Sequence, residues 1–260
     1  MQQRGHEVTI LTALPNYPTG KIYSEYRGKQ RRQEVLDGLK VIRSWIYPTK
    51  SATLLKRFLN YFSFVFSSMA RGSRLEKQDV IVVESPPLFL GIAGIFLSKW
   101  LRAKLVFNVS DLWPDSAVEI GVINSSSPFV TISKKLEQFC YRKADAITGQ
   151  SLSIVQTIKK RATEKIVELI TNGADTALFS PEKRSATIRS QYDLDSRFVI
   201  VYAGLFGIAQ GLGQILDAAK QLTSNKNIVF LLVGDGPEKE ILVERVNNER
   251  LTNVIIQEPI

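Results

Sequence analysis

Two glycine-rich stretches have the residue types needed to bring backbone close to a phosphate. They are Tyr202-Ala203-Gly204-Leu205-Phe206-Gly207-Ile208-Ala209-Gln210-Gly211 and Val233-Gly234-Asp235-Gly236-Pro237. Glycine reaches backbone conformations closed to other residues and lacks the Cβ that would hold a ligand away. Each stretch follows a β-branched run and precedes a helical one, so free N–H groups and a positive helix end would face an anion there. The spacing is not G-x-G-x-x-G, and neither stretch is a P-loop, so the dinucleotide fingerprint fails. Tight-turn glycines without a ligand explain either stretch alone equally well; two of them on one sheet edge favour a cleft. A third candidate is Asn108-Val109-Ser110-Asp111-Leu112-Trp113-Pro114-Asp115-Ser116. A carboxylate and an indole at a strand end suit a sugar or a base, because the ring covers apolar faces while the carboxylate accepts from hydroxyls. The competing structural reading makes the Asp an N-cap of a Pro-started helix, with a packed Trp. Asn16-Tyr17-Pro18-Thr19-Gly20 and Ser85-Pro86-Pro87 fall on the same predicted edge, whereas His6 falls on the opposite one.

The elements that must position these residues alternate along the chain. Strands are expected over 8–12, 41–46, 80–84, 104–109, 146–148, 166–170, 198–202, 228–233 and 254–256. Helices are expected over 53–76, 87–101, 128–143, 151–162, 185–192, 211–224 and 237–249. Mostly apolar strands, each followed by a helix, predict parallel sheets covered on both faces. Asp37-Gly38 between two strand-like runs predicts a hairpin. Turn chemistry at Asn172-Gly173-Ala174-Asp175 and a polar run at 191–197 predict a domain break, giving domains 1–180 and 181–260. The second would be an incomplete sheet, and the chain reads as an interior fragment of a longer protein.

Composition narrows the classes. With 44% hydrophobic and 23% charged residues in a chain of 260, the protein has enough apolar content for real cores and is not a disordered chain. One cysteine, Cys140, and one histidine, His6, exclude an internal disulfide and a cysteine or histidine metal cluster. A conventional Ser/Cys–His pair is excluded as well unless His6 serves. The net charge of +9 sits entirely in residues 1–78, which hold 14 Lys/Arg against 5 Asp/Glu. Nucleic acid, anionic lipid headgroups or a phosphorylated substrate would each fit such a region. The apolar stretches 58–70 and 87–100 are too short to span a bilayer, which takes about 20 residues. The second reads as a helix buried against a sheet. The first, aromatic and preceded by Lys50, Lys56 and Arg57, reads first as a core helix and second as an interfacial one.

Several segments, in order, carry a resemblance. Arg4-Gly5-His6-Glu7-Val8-Thr9-Ile10-Leu11-Thr12, Pro15-Asn16-Tyr17-Pro18 and Asp111-Leu112-Trp113-Pro114 are followed by Ile170-Thr171-Asn172-Gly173-Ala174-Asp175, Tyr202-Ala203-Gly204 and Val233-Gly234-Asp235-Gly236-Pro237. The series resembles the bacterial family-4 glycosyltransferases of the GT-B fold. It is nearest the branch that builds capsule, O-antigen, colanic acid and related polysaccharides, fucosamine transferases included. The resemblance implies an α/β protein with two Rossmann-like parallel-sheet domains, 1–180 on the acceptor side and 181–260 the first half of the nucleotide-sugar domain. It implies a retaining, metal-free transfer of sugar from a nucleotide diphosphate, a UDP-sugar, to a growing polysaccharide or a polyprenyl-diphosphate-linked acceptor. It further implies no cofactor beyond that co-substrate, no nucleic-acid partner, and a cytoplasmic protein peripheral on the inner face of the plasma membrane. Carried over by position, Asp111 is catalytic, and Asn16, Tyr17 and Trp113 lie on the acceptor side. Gly204, Gly207, Gln210 and Gly211 approach the donor phosphates, while Gly234, Asp235 and Gly236 border the nucleotide. Two departures stand out. Leu205, Ile208 and Gln210 occupy a turn where the family commonly has Arg or Lys, and the family's Glu-x7-Glu segment would lie beyond Ile260. The chain alone is therefore expected to turn over little. A non-catalytic nucleotide- or sugar-binding relative is the alternative; a UDP-sugar epimerase of the same fold is a third, against which Asp111-Leu112-Trp113-Pro114 argues.

Overall fold

The computed structural model describes residues 1–16, 20–28, 32–49, 53–183, 186–194 and 196–259; Tyr17 and Lys50, both singled out above, lie outside the described residues. The chain divides into two compact units, Met1–Asn172 and Gly173–Ile260, so residues 173–180 group with the second unit.

The first unit contains two sheets. β1 (Thr9–Ala13), β2 (Arg32–Leu36) and β3 (Leu39–Ser44) form one with order β1-β3-β2, β1 parallel to β3 and β2 antiparallel to it. The β2–β3 turn is the expected hairpin. Asp37 (φ 51°) and Gly38 (φ 79°) both have positive φ, the twist a two-residue hairpin turn requires. α1 (Leu54–Gly72) lies against β1 and β3. It departs from the core-helix expectation, because only Val65 and Ser68 among its described side chains are buried.

The second sheet is all parallel, in the order β4 (Val80–Ser85), β5 (Lys104–Val109), β6 (Ala146–Gly149), β7 (Ile166–Leu169). α2 (Leu90–Trp100), the short α3 (Asp115–Glu119), α4 (Pro128–Lys143) and α5 (Leu152–Arg161) fill the connections. Val83, Leu105, Phe107, Ile147 and Val167 alternate onto one face and form a core with Ile95, Cys140, Tyr141, Val155 and Ile158 from the helices. On the opposite face Val80, Val82 and Ile166 are each more than half exposed. Two-sided cover was expected; among the described residues one face has it.

Close helix–sheet approach explains two glycines. A Cβ on Gly91 would overlap the Cys140 Sγ and come within 3.1 Å of Phe107, and one on Gly94 would overlap Val83. Overpacking a filled core costs about 1–3 kcal/mol. Gly91→Ala is therefore expected to lower the urea-unfolding free energy by that amount, and adding Cys140→Ala to recover most of the loss. A second prediction concerns Asp145, between α4 and β6. Its carboxylate accepts from the Leu105 backbone N–H at 2.9 Å and from Lys104 at 2.9 Å, and these contacts hold its pKa below the ordinary Asp range. A depressed carboxylate stabilises the fold above its unfolded-chain value of about 4, and that contribution fades as pH falls through the lowered folded value. The melting-temperature gap between the protein and Asp145→Asn should be open at pH 7 and narrow below about pH 3.

The second unit holds α6 (Ala186–Gln191), β8 (Phe198–Leu205), α7 (Gly213–Gln221), β9 (Ile228–Asp235), α8 (Lys239–Asn248) and β10 (Val254–Gln257). Its sheet is parallel with order β10-β9-β8. Central β9 is buried on both faces. Phe230 and Leu232 meet Phe206, Leu216 and Leu242 on one side, and Val229 and Leu231 meet Leu194 on the other. The strands predicted at 8–12 and 198–202 thus lie in different sheets, as two α/β units require.

Candidate functional site

Polar residues end the apolar strands of the first unit's parallel sheet. Strand register sets Glu84 beside Asn108 and Asn108 beside Thr148, a row on one face at the C-terminal edge. Asn108 Nδ2 donates to Glu84 at 2.5 Å, Thr148 Oγ1 donates to Asn108 Oδ1 at 2.6 Å, and Ser110 Oγ donates to Glu84. Gln150 Nε2 donates to Ser110 at 2.7 Å and accepts in turn from Asn172 at 3.1 Å. This row can exchange hydrogen bonds with a hydroxyl-rich ligand. Reading the sequence singled out only Asn108 and Ser110 of it. The overlooked signal was a polar residue at or just past the end of each apolar strand: Glu84, Thr148, Gln150.

Asp111 follows directly. It is half-buried, and its Oδ2 accepts from Ser116 Oγ at 2.8 Å. The N-cap of α3 is Pro114, with no side-chain cap bond, so Asp111 is not the N-cap of the competing reading. Its carboxylate is aimed by a hydroxyl five residues on, and among the described residues Oδ1 has no hydrogen bond. Trp113 packs on the edge of the core and meets Phe129 edge-on at 6.5 Å. Behind this turn, a charge network around the buried Glu137 anchors α3. Asp115 pairs with Lys134 at 3.0 Å and with Arg161, and Arg161 also donates to Glu137 at 3.0 Å. Glu137 is 3% exposed and also accepts from Tyr141 at 2.9 Å. Burial pushes the Glu137 pKa up against the pull of Arg161. Burial opposes the Arg161 charge as well, but Asp115 and Glu137 leave its pKa raised. Burial pushes the Cys140 thiol up to about 12, so that cysteine is an inert core residue.

In the second unit, the two glycine turns are stitched together. Phe206 N–H donates to Asp235 O at 2.9 Å, Glu238 N–H donates to Phe206 O at 2.9 Å, and Gly236 N–H donates to the Asp235 side chain at 2.9 Å. A Cβ on Gly234 would overlap Gly204 O, and one on Gly236 would lie 2.5 Å from Phe206 O. These glycines therefore have a packing reason of their own. In the first turn, Gly211 has φ 59° and closes a 3₁₀ turn at Ile208–Gln210. Gln210 lies over Gly207, where an added Cβ would be 2.5 Å from its Oε1. Lys239, missed from sequence, sits one helical turn beyond Asp235 and pairs with Glu258. An open depression of about 850 Å³ runs from Asp235, Gly236 and Lys239 along α8 to Asn247.

The structure thus brings Gly204, Gly207, Gln210 and Gly211 into one locality with Gly234, Asp235 and Gly236. Asp111 and Trp113 share a loop in the first unit. Asn16, whose Nδ2 donates to Leu14 O at 2.8 Å, follows β1 in the other sheet of that unit. Among the described residues no hydrogen bond or ring contact joins it to Asp111 or Trp113. Tyr17 lies outside the described residues. His6 is exposed, as expected of a surface residue.

Comparison with known proteins gives this arrangement a context. The glycosyl transferase 4-like domain matches residues 1–173. WcaI of Escherichia coli strain K12, named for a glycosyl transferase of colanic acid biosynthesis, is 29% identical over 262 aligned positions, covering 96% of this chain and 63% of WcaI. Among solved structures, sucrose-phosphate synthase from Thermosynechococcus elongatus superposes with a TM-score of 0.70 at 18% identity, over 100% of this chain and 62% of that one. Anabaena HepE, solved with UDP, superposes with a TM-score of 0.60 at 15% identity, over 97% and 69%. These neighbours share the α/β GT-B fold. The chain spans under two thirds of the length of WcaI and of the synthase.

Proposed function

Because this chain belongs to the glycosyl transferase 4-like family, we propose that it forms the acceptor-side domain and part of the donor domain of a retaining glycosyltransferase. The sugar would come from a nucleotide diphosphate, a UDP-sugar, and go to a growing cell-surface polysaccharide or a lipid-linked acceptor. The observation that carries the reading is Asp111, a half-buried carboxylate aimed by Ser116 beside Trp113 at a strand's C-terminal end. Such edges are where open α/β sheets bind ligands.

The chemistry asks for two things. Negative charge grows on the leaving diphosphate, and fixed donors and cations stabilise it. The Gly204–Gly211 turn, leading into the N-terminus of the nine-residue α7, offers N–H groups, and Lys239 offers a charge. Positive charge grows at the anomeric carbon, and Asp111 serves on the sugar side, with Trp113 against the ring. HepE was solved with UDP, which supports uracil as the base. The name of WcaI, a colanic acid transferase, supports a surface polysaccharide.

A cytoplasmic protein peripheral on the inner membrane face fits the basic first third and the exposed α1. Among the described residues no helix is long and apolar enough to cross a membrane. The test is UDP release from a panel of UDP-sugars. Release that rises several-fold on adding a polyprenyl-diphosphate-linked sugar supports transfer. Nucleotide binding without acceptor-dependent release supports the non-catalytic alternative.

A further inference from the structure

Glu84 brings a charge into a row of neutral groups. It stands next to last in β4, exposed, on the face away from the helices, and among the described residues its bonding partners are all neutral. Three donors converge on its carboxylate: Asn108 Nδ2 at 2.5 Å, the Ser110 hydroxyl, and Gln150 Nε2 at 3.5 Å. The sheet does not need these bonds, because the β4–β5 ladder already runs in register to Ser85 and Val109, one residue further on.

An ionised carboxylate only accepts, so every group that faces it must donate. That constraint gives the whole row one direction. Asn108 turns its amide nitrogen to Glu84 and so presents Oδ1 to the buried Thr148 hydroxyl at 2.6 Å. Ser110 spends its single hydroxyl hydrogen on Glu84, which leaves its lone pairs for Gln150 Nε2 at 2.7 Å. The Ser110 N–H also donates to Ser85 O at 2.8 Å. Ser110 is therefore held from β4 by side chain and backbone, and from the end of β6 through Gln150.

Asp111 comes next in the chain. On its other side Ser116 Oγ donates to its carboxylate at 2.8 Å, and the Trp113 N–H closes the turn on Asp111 O at 3.0 Å. The loop is gripped at both ends, and the grip on the strand side starts at Glu84. We propose that Glu84 is a positioning residue for Asp111: it fixes the Ser110 hydroxyl, and through it the Asp111 backbone, without touching substrate. This inference rests on the sugar-side reading of Asp111. A misplacement of about 1 Å can cost about 10²-fold in rate, so a loosened Ser110 should show in turnover and not in donor binding.

Two readouts test it. The first, amide hydrogen exchange at Ser110 and Trp113, needs no turnover. Glu84→Leu removes the acceptor, and Ser110→Ala removes the hydroxyl and keeps the test open should Glu84→Leu not fold. Each should speed exchange at these amides by about tenfold or more, as expected when a local opening becomes easier. Glu84→Gln should stay within about threefold of wild type, because the new amide can donate to a turned-over Asn108 and still accept from Ser110. The second readout is transfer from a UDP-sugar. Glu84→Leu should lower kcat about tenfold and leave KM for the UDP-sugar within about twofold. Added to Asp111→Asn it should lower kcat by less than about twofold more, since a residue acting through Asp111 then has nothing left to position. The same tenfold loss in that background overturns the proposal, as does a raised KM at constant kcat. So does unchanged exchange in both Glu84→Leu and Ser110→Ala. If Asp111→Asn lowers turnover and Glu84→Leu does not, this inference falls alone. If Asp111→Asn turns over like wild type, the transfer reading of Asp111 falls and takes this inference with it.

Discussion

Asp111→Asn should lower transfer turnover by about 10²–10⁴ and leave UDP affinity within about threefold of wild type, because a positioned acid–base group contributes on that scale. The amide keeps the size of the carboxylate and can still accept from Ser116, so the fold around α3 has no reason to change. It loses the negative charge that faces the sugar. UDP is assigned to the turns of the second unit, so its affinity should not follow the turnover. A turnover change below about threefold would make Asp111 a structural residue of its loop. Parallel loss of UDP affinity would have the same meaning. Ser116→Thr, which keeps the hydroxyl, should retain activity where Ser116→Ala loses part of it.

Arg161→Met should cost about 3–5 kcal/mol of stability, the scale on which removing one partner leaves a buried charge unpaired. Glu137, 3% exposed, would keep only the Tyr141 hydroxyl, and Asp115 would keep only Lys134. The pH dependence has a definite sign. The Glu137 pKa is already raised by burial, and without Arg161 it rises further. A raised carboxyl favours the fold below its unfolded value of about 4.3 and loses that contribution as pH rises through the folded value. The variant's deficit should therefore be larger at pH 8 than at pH 5. Glu137→Gln in the Arg161→Met background should recover much of the loss, because the buried charge goes with it. Equal deficits at both pH values would mean the network acts by packing alone.

Much of the fold is legible in the chain because its signals are local. Apolar runs such as Lys104–Val109 are strands by composition, and Asp37-Gly38 permits the positive φ angles that its turn adopts. Ser127 before Pro128 marks the start of α4, where its side chain accepts from Phe129 N–H. What escaped is what depends on contacts distant in sequence. The aromatic run 58–70 suggests a core helix, yet Asn60, Ser63 and Ser67 bond the segment after β3, Phe58, Phe62 and Phe64 are only half-buried and Phe66 is exposed. Glu84, Thr148 and Gln150 come together only because the register of β4, β5 and β6 aligns them. Lys239 reads as an ordinary helix residue until the turn at Asp235 sets it beside the glycines. Asp111 was legible as a residue type. Its partner Ser116 was not, since an N-cap and an oriented carboxylate have the same spacing until α3 is seen to start at Asp115.

The configuration of the product tests the central claim most directly. The protein would be supplied with an α-configured UDP-sugar and a lipid-diphosphate-linked acceptor, and the new linkage read by nuclear magnetic resonance. The account predicts an α-linked product, formed by the wild type and sharply reduced in Asp111→Asn. A β-linked product, or an α-linked product formed equally well by Asp111→Asn, would contradict it.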